Sequence, residues 1–296
     1  MSVIVLGSTG QLATHLRELM PQARFMGRAD ADLSDAAALY RKLVDARPSF
    51  IVNAAAYTAV DRAESEPALA WAVNADAPAA MARAAAKLDV PLVHVSTDYV
   101  FGGQSGEPWK VGDPVAPINL YGRTKLAGEL AVSTLCAKHW ILRTSWVFSE
   151  HGANFVKTML RLAAQRPELR VVNDQKGIPT YARDLARLIV TLATAPSANE
   201  TMAYGLHHAT GGPAVTWRDF AEAIVDAGYR HGLLATRVPV TGIPTSQFPT
   251  PARRPANSVL ASGGFPAGLE FDWKGGLERV IGILKETSTR SGSAGN

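Results

Sequence analysis

The chain has 296 residues, of which 47% are apolar and 19% charged, and this size and composition suit one large domain or two unequal ones with a substantial core. The net charge of +4 comes from scattered basic residues without a clustered stripe, so nucleic-acid binding is not expected, and no apolar run approaches the ~18 residues of a membrane span. The single cysteine, Cys136, excludes an internal disulfide, and with an N-terminus that lacks the basic start of a signal peptide it predicts a cytoplasmic protein.

Apolar strands alternate with helical patterns through the first half of the chain. This alternation predicts repeated right-handed βαβ units and hence an α/β fold: a Rossmann-type doubly wound parallel sheet with ligands at the carboxyl ends of its strands. The predicted strands lie near 2–6, 23–26, 49–53, 91–96 and 140–145, and the predicted helices near 11–20, 34–46, 66–87 and 118–136.

The second half mixes helices and short strands. It predicts a smaller substrate-binding domain over 151–296, interleaved with a dinucleotide-binding domain over 1–150 that takes returning segments from about 170–210. A tail from Thr287 to Asn296, rich in Ser, Gly and Thr, is expected to be disordered. Helices are predicted near 153–165, 181–194, 216–229 and 273–285, and strands near 170–172 and 236–240.

The first strand runs into a glycine loop, Gly7-Ser-Thr-Gly10, which is followed by Gln11 and Leu12 at the start of the first helix. Gly7 permits a tight turn, and Gly10 lets backbone approach a pyrophosphate at the helix N-terminus. The pattern is Gly-x-x-Gly-x-x-Ala, with Ala13 in place of a third glycine. Its position between a strand and a helix predicts dinucleotide binding.

Tyr121 and Lys125 form a Tyr-x-x-x-Lys pair some 24 residues after Thr97. On a helix, residues i and i+4 share one face. A free tyrosine has a pKa near ~10, and a nearby ammonium is expected to lower it toward neutrality. Ser96 and Thr97 end a buried strand and point to opposite faces, so one of their hydroxyls can face the same site. Together with Tyr121 and Lys125 this provides a proton donor, a cation and a hydroxyl partner, which suits reduction of a carbonyl by a bound nicotinamide.

Together these motifs resemble the extended short-chain dehydrogenase/reductase family. The similar stretches follow the family's order and cover nearly the whole chain except the last dozen residues. They are Val52–Pro67 (VNAAAYTAVDRAESEP), Ser96–Phe101 (STDYVF), Asn119–Glu129 (NLYGRTKLAGE), Arg143–Phe148 (RTSWVF), Asn173–Thr180 (NDQKGIPT) and Pro249–Ser258 (PTPARRPANS).

The resemblance implies NAD(P)H-dependent reduction of the C4 ketone of dTDP-4-dehydro-β-L-rhamnose to dTDP-β-L-rhamnose. In this role Tyr121 protonates the developing alkoxide, Lys125 positions the nicotinamide ribose and Thr97 orients the substrate oxygen. Sugar-nucleotide 4,6-dehydratases of the family carry Thr-Asp-Glu where this chain has Thr97-Asp98-Tyr99. Because the eliminating glutamate is missing, simple reduction is favoured.

Cofactor choice is expected to depend on the end of the second strand. Arginine at Arg28 suits the 2′-phosphate of NADPH, while Asp30 two residues later leaves NADH open as an alternative. The resemblance places Asp32 and Leu33 beside the adenine. It also places Ala56, Tyr57 and Thr58 across the adenosine and pyrophosphate.

Five further residues are candidates for contact with the substrate, a dTDP-sugar: the resemblance implies Asp98 and Trp146, and their local positions suggest Asn154, Arg254 and Asn257. Asp98 either contacts the sugar or caps the next turn. Trp146 offers the sugar a flat face and one N–H. Asn154 caps a helix and also meets the diphosphate, and Arg254 and Asn257 grip phosphate or sugar from a proline-rich loop, where paired arginines are often only solvated.

Some members of the family hold magnesium at a dimer interface through acidic side chains of the first helix and elsewhere. The corresponding first-helix position here is His15, so no metal site is predicted. The chain is expected to be a monomer or homodimer. Two alternatives stay open: a reductase of another nucleotide-linked keto-sugar, or a non-catalytic regulatory subunit of the methionine adenosyltransferase type.

Overall fold

The computed structural model describes residues 2–195 and 202–293, with side chains to residue 289. Its centre is a six-stranded, fully parallel sheet. The strands, in spatial order, are β2 (Arg24–Met26), β1 (Val3–Leu6), β3 (Phe50–Asn53), β4 (Leu92–Thr97), β5 (His139–Thr144) and β10 (Gly205–His208). The order confirms the predicted doubly wound α/β sheet of Rossmann type, and it reverses between β1 and β3, the switch point where such sheets bind ligands.

The inner strands are apolar runs because both faces of the sheet are covered. Every residue of β1 and β3 is buried. On one face pack helices α1 (Gln11–Leu19) and α8 (Ala182–Thr194). The opposite face is covered by α2 (Ala36–Ala46), α5 (Ala77–Leu88) and α6 (Leu120–Leu135).

The helix predicted over 66–87 is divided into three segments. A short α3 (Val60–Ala63) precedes it, α4 (Pro67–Trp71) opens it, and residues Ala72–Asp76 form one turn of π-helix before α5 begins. Single π turns inside helices often accompany functional sites. Here the π turn includes Asn74, which is buried.

A second core lies in the C-terminal half, between α7 (Phe155–Ala163), α9 (Trp217–Arg230) and α10 (Trp273–Ser293). Strands pair there in twos: β6 with β9 and β7 with β12 in parallel, and β8 with β11 antiparallel. Their bounds are β6 Val147–Phe148, β7 Leu169–Val172, β8 Lys176–Gly177, β9 Thr180–Tyr181, β11 Val215–Thr216 and β12 Val240–Ile243. Helix α8 and strand β10 return from this half to the large sheet, and the domain division at residue 150 stays a prediction.

Two local predictions were wrong. The strand expected near 236–240 begins at Val240, where β12 pairs with β7. The tail expected to be disordered from Thr287 continues α10 to Ser293, and the Thr287 and Thr289 hydroxyls donate to the carbonyls of Ile283 and Lys285 one turn earlier. Residues 294–296 lie outside the described part. None of the described helices has the length and apolar character needed to cross a membrane.

Candidate active site

A cavity of about 900 Å³ opens at the carboxyl ends of β1 to β5, beside the switch point. Every residue predicted from the sequence to hold the cofactor lines it. They are Gly7, Gly10, Gln11, Leu12, Arg28, Asp32, Leu33, Ala56, Tyr57, Thr58, Tyr121 and Lys125. Of the predicted substrate residues, Thr97, Asp98 and Trp146 line the same cavity.

The glycine loop leaves the start of α1 open toward this cavity. Gly7 has a φ of +107°, which a residue with a side chain rarely adopts, and a Cβ there would lie 3.3 Å from the carbonyl oxygen of Ala54. Gly10 is the N-cap of α1 and offers no side-chain cap, and a Cβ at Gly10 would meet nothing within 4 Å. The first amides of α1 therefore face free space, which fits a pyrophosphate at a helix N-terminus.

Arg28 and Asp30 behave differently at the end of β2. Arg28 lines the cavity. Asp30 closes the turn after β2, since its Oδ2 accepts a hydrogen bond from the amide of Gly27 at 3.0 Å. Asp32 lines the cavity, and hydrogen bonds from Ser34 hold its pKa below the usual value, with the charge of Arg28 acting in the same direction. Of Arg28 and Asp30, only the cation therefore lines the cavity.

Asn74, which the sequence reasoning did not single out, joins two segments that line the cavity. Its Oδ1 accepts from the amide of Tyr57 at 2.8 Å, and its Nδ2 donates to the carbonyl of Tyr57 at 3.0 Å. The same Nδ2 lies 3.1 Å from the hydroxyl of Thr124 on α6. One buried amide therefore joins the loop that carries Ala56 to Thr58 to the helix that carries Tyr121 and Lys125. Nothing in the helical pattern of 66–87 indicated the π turn that places it.

Tyr121 and Lys125 lie one turn apart on α6, facing Thr97 at the end of β4. The helix begins at the cap Asn119, whose Oδ1 accepts from the amide of Gly122 at 2.8 Å. Gly122 allows α6 to approach the strand end, because a Cβ there would be 2.2 Å from the carbonyl oxygen of Tyr99. The ammonium of Lys125 is buried and donates to the carbonyl of Val95 at 2.7 Å.

The expected lowering of the Tyr121 pKa is wrong for this structure. Burial raises the pKa of Tyr121 above its usual value, against a hydrogen bond between the hydroxyls of Tyr121 and Thr97, and the charge of Asp98 adds to the rise. Burial lowers the pKa of Lys125 to about 8, and the charge of Glu129 opposes that shift. Tyr121 therefore keeps its proton at neutral pH, which is the form that an acid catalyst of reduction needs.

A buried ion pair supports Lys125 from the next turn of α6. Glu129 and Arg143 are almost fully buried, with Arg143 Nη2 2.7 Å and Nε 2.9 Å from the two carboxylate oxygens. The hydroxyl of Ser96 donates to Glu129 Oε1 at 2.5 Å. Such a bidentate pair is geometrically rigid, so it fixes the side of α6 that faces β4 and β5.

Asp98 is buried, and one of its oxygens has no partner. Its Oδ1 accepts from the Thr97 hydroxyl at 2.9 Å, whereas Oδ2 makes no hydrogen bond within the described chain. Burial raises the pKa of Asp98 to about 7, against the hydroxyls of Ser258 and Thr97. Because Oδ2 is itself buried, contact of Asp98 with a sugar hydroxyl stays a prediction. The alternative expectation was wrong: the turn 98–100 is capped by Thr97, whose hydroxyl accepts from the Tyr99 amide at 3.2 Å, and not by Asp98.

Trp146 was expected to offer a flat ring face to the sugar, but one face of its ring is covered in the structure. Its φ of +46° lies in the left-handed region, a strained conformation that often accompanies functional sites. The indole stacks on Trp217 with centroids 3.5 Å apart and planes within 9°, so Trp217 covers one face. The edge that carries the indole N–H packs against Gly177, where a Cβ would lie 2.7 Å from Nε1, so contact of Trp146 with the sugar stays a prediction. Trp217, which also lines the cavity, was not singled out from the sequence because an isolated aromatic residue carries no motif.

Three predicted substrate residues do not line the cavity. Asn154 caps α7 by accepting from the Lys157 amide at 3.2 Å, and its Nδ2 donates to Gln11 Oε1 at 2.9 Å. Arg254 forms a bidentate pair with Asp61 at 2.6 and 2.7 Å. Asn257 donates to the carbonyl of Ser105 at 2.7 Å. Substrate contact by these three residues stays a prediction, and each already has protein partners.

Comparisons with known proteins agree with this geometry. The model of the RmlD substrate binding domain family matches residues 1–285. A dTDP-4-dehydrorhamnose reductase of Shigella flexneri is 41% identical, over 97% of this chain and 99% of its own length.

Two solved structures are also similar. One is a dTDP-4-dehydrorhamnose reductase from Clostridium acetobutylicum (TM-score 0.86, 35% identity, 96% of this chain and 100% of that one). The other is the Bacillus anthracis dTDP-4-dehydrorhamnose reductase in complex with NADP (TM-score 0.85, 35% identity, 95% and 99%). With the family model spanning nearly the whole chain, the chain belongs to the RmlD substrate binding domain family.

Proposed function

We propose that this chain reduces the C4 ketone of dTDP-4-dehydro-β-L-rhamnose to dTDP-β-L-rhamnose with NADPH, the last step of dTDP-L-rhamnose synthesis. One observation carries the proposal: Thr97, Tyr121 and Lys125 converge on the same cavity as the open N-terminus of α1. A pyrophosphate site and a proton donor in one cavity are what reduction by a nicotinamide requires. The activity named for the similar proteins supplies the substrate.

The residues present fit the cofactor. The amides at the start of α1 would hold the pyrophosphate, and Ala56 to Thr58, clamped by Asn74, would hold the adenosine side. Arg28 would pair with the 2′-phosphate because Asp30 is occupied by the amide of Gly27. When bound, the reduced nicotinamide supplies the hydride to C4.

The protein's own part is to move one proton and stabilise charge. Tyr121 holds a proton that its hydroxyl gives to the oxygen at C4, because an alkoxide is more basic than a phenolate. Thr97 orients that oxygen and the Tyr121 hydroxyl. Lys125, cationic below about pH 8, stabilises the phenolate that forms and holds the ribose.

The geometry favours reduction over elimination of water. Position 99 carries a tyrosine whose ring lies edge-on to Tyr121, with centroids 6.0 Å apart. Burial raises the pKa of Tyr99 above its usual value, so its hydroxyl stays protonated at neutral pH. In this form Tyr99 is a poor base for removing a proton from the sugar. A regulatory, non-catalytic role gains no support from a cavity that keeps all three catalytic residues.

The test follows loss of the near-ultraviolet absorbance of NADPH, and separately of NADH, with keto-sugar made in situ from dTDP-glucose by a 4,6-dehydratase and an epimerase. We expect oxidation only when the epimerase is present, and faster with NADPH. Protein that binds NADPH but does not oxidise it with this substrate would refute the proposal, and testing other nucleotide-linked keto-sugars would then identify the alternative.

We further propose a cytoplasmic location and a monomeric or homodimeric state. The free, buried thiol of Cys136 suits a compartment that keeps thiols reduced. Light scattering on the purified protein measures the mass directly. A tetramer would contradict this part of the proposal.

A further inference from the structure

A second cluster of ionisable side chains lies where α1 meets the turn after β6. His15, Glu150 and His151 direct donor atoms at one another, all within 4.8 Å. Nε2 of His15 is 3.5 Å from Oε2 of Glu150, and Nε2 of His151 is 3.9 Å from Oε1 of Glu150. None of these side chains takes part in the proposed reduction.

These separations are close to those of a metal site. Zinc–nitrogen and zinc–oxygen distances of about 2.0–2.2 Å in a tetrahedron imply ligand atoms about 3.3–3.5 Å apart. The two distances run to different oxygens of Glu150, so one of the two contacts must shift for a single oxygen to bind the metal. The His15–His151 pair must close further. Nε2 of His151, whose side chain is 31% exposed, lies 3.1 Å from Oε1 of Glu18 and must give up that contact when it binds metal.

Glu150 lacks a permanent cation. Its side chain is 6% exposed, and among the described residues only His15 and His151 come within salt-bridge distance of its carboxylate. The hydroxyl of Tyr181 donates to both oxygens at 3.2 and 3.3 Å. A buried carboxylate is costly without a compensating positive charge, and a divalent cation would provide that charge while both imidazoles stay neutral.

The surroundings also orient the ligands. Nδ1 of His15, the nitrogen away from Glu150, lies 3.4 Å from Oε2 of Glu18, and Arg183 holds that oxygen at 2.8 Å. A carboxylate behind a histidine is the usual outer shell of a zinc-bound imidazole. Ser149 Oγ, 3.0 Å from His15 Nε2, would have to give up this contact when the nitrogen binds metal.

We propose that His15, Glu150 and His151 bind one divalent transition-metal ion, of which Zn²⁺ is the model case, with water in the fourth position. Two imidazoles and one carboxylate suit zinc, whereas Mg²⁺ prefers oxygen ligands in an octahedron. The proposed site therefore differs in two ways from a magnesium site built of acidic residues between subunits. It binds a different metal, and one chain supplies all of its protein ligands. It would tie α1 to the turn that leads into Gly152 and Ala153, which line the cavity.

The test uses full-length protein stripped with a chelator and then dialysed against Zn²⁺ or Mg²⁺, with bound metal measured by mass spectrometry. We expect one zinc per chain, no magnesium, and a rise in melting temperature with zinc alone. Replacement by Co²⁺ should give the intense visible absorption of a tetrahedral site. Retention of no zinc after dialysis would overturn the proposal, leaving a hydrogen-bonded network without a metal.

Variants locate the bound ion. His151→Ala, at the partly exposed ligand, should weaken zinc binding at least tenfold while the metal-free melting temperature stays near that of the parent. Glu18→Gln should weaken it roughly 10–100-fold, the range for outer-shell changes. His231→Ala is the matched control, because His231 meets Glu278 at 2.8 Å but belongs to no three-ligand group among the described residues. Unchanged zinc binding by His151→Ala would place the ion elsewhere and refute the assignment.

Discussion

Replacing Tyr121 by phenylalanine tests the proton-donor role most directly. The substitution removes one hydroxyl from a half-buried ring and leaves the shape of α6 intact. Positioned general acids contribute about 10²–10⁴-fold to rates, which corresponds to about 2.7–5.4 kcal/mol of transition-state stabilisation. The hydroxyl's protein partner is Thr97, whose own hydroxyl already donates to Asp98 at 2.9 Å, so the variant leaves no charged group unpaired and should fold normally.

We therefore expect Tyr121→Phe to lose about 10²–10⁴-fold in kcat with little change in the dissociation constant for NADPH. The assay is single-turnover oxidation of NADPH under saturating keto-sugar, with cofactor affinity measured by fluorescence titration. Tyr99→Phe is the matched control: it removes a hydroxyl from a neighbouring half-buried tyrosine 6.0 Å away and should change kcat far less.

Two results would refute this reasoning. Near-parental turnover by Tyr121→Phe would show that another group, or water, delivers the proton. An equal loss of kcat in Tyr99→Phe would show that any change in the aromatic residues of the cavity wall lowers turnover. The assignment of the proton donor to Tyr121 would then lose its basis.

Burial lowers the pKa of Lys125 to about 8, so the reduction rate should fall as pH rises through that value and the ammonium is lost. Glu129→Gln removes the negative charge that opposes this lowering, so in a pH–rate profile the variant should lose activity at a lower pH than the parent. An unmoved profile would contradict the coupling between Glu129 and Lys125. The same variant leaves Arg143 buried without its counter-ion and should lower the free energy of unfolding by about 3–5 kcal/mol, measured by urea denaturation; a loss below ~1 kcal/mol would mean that the pair is effectively solvated. Asn74→Ala should raise the KM for NADPH more than it lowers kcat, because the clamp on the loop at Tyr57 is lost; a loss confined to thermal stability would contradict the positioning role. Arg28→Ala should reduce the ratio of kcat/KM for NADPH over NADH by about tenfold or more, the scale of a charge-assisted hydrogen bond to phosphate, and an unchanged ratio would exclude Arg28 as the 2′-phosphate contact.

Local patterns in the sequence predicted the parts of the site that depend on local backbone. The run Val3–Leu6 followed by Gly7 and Gly10 predicted a strand, a tight turn and the start of a helix, and the structure has all three. The i, i+4 relation of Tyr121 and Lys125 follows from helical geometry alone. Alternation of strands and helices was enough to predict the parallel sheet, because only right-handed crossovers return a strand to it.

Contacts between distant segments could not be predicted in this way. The π turn that brings Asn74 to Tyr57 depends on how α4 and α5 pack against α6, where a Cβ at Gly128 would lie 2.2 Å from the Asn74 carbonyl oxygen. Arg254 looked free in its loop, yet it pairs with Asp61, which is 193 residues away in the chain.

Sequence by itself thus determined the fold class, and it predicted the dinucleotide loop and the pair Tyr121 and Lys125, since each follows from hydrophobic periodicity or from spacing within one element. Only the tertiary structure decided the charge states and the partners. Burial raises the pKa of Tyr121 although a lysine lies one turn away, because desolvation depends on everything packed around a group and not on its neighbours in sequence. The convergence of His15 with Glu150 and His151 was equally invisible, since it requires α1 and the turn after β6 to pack side by side.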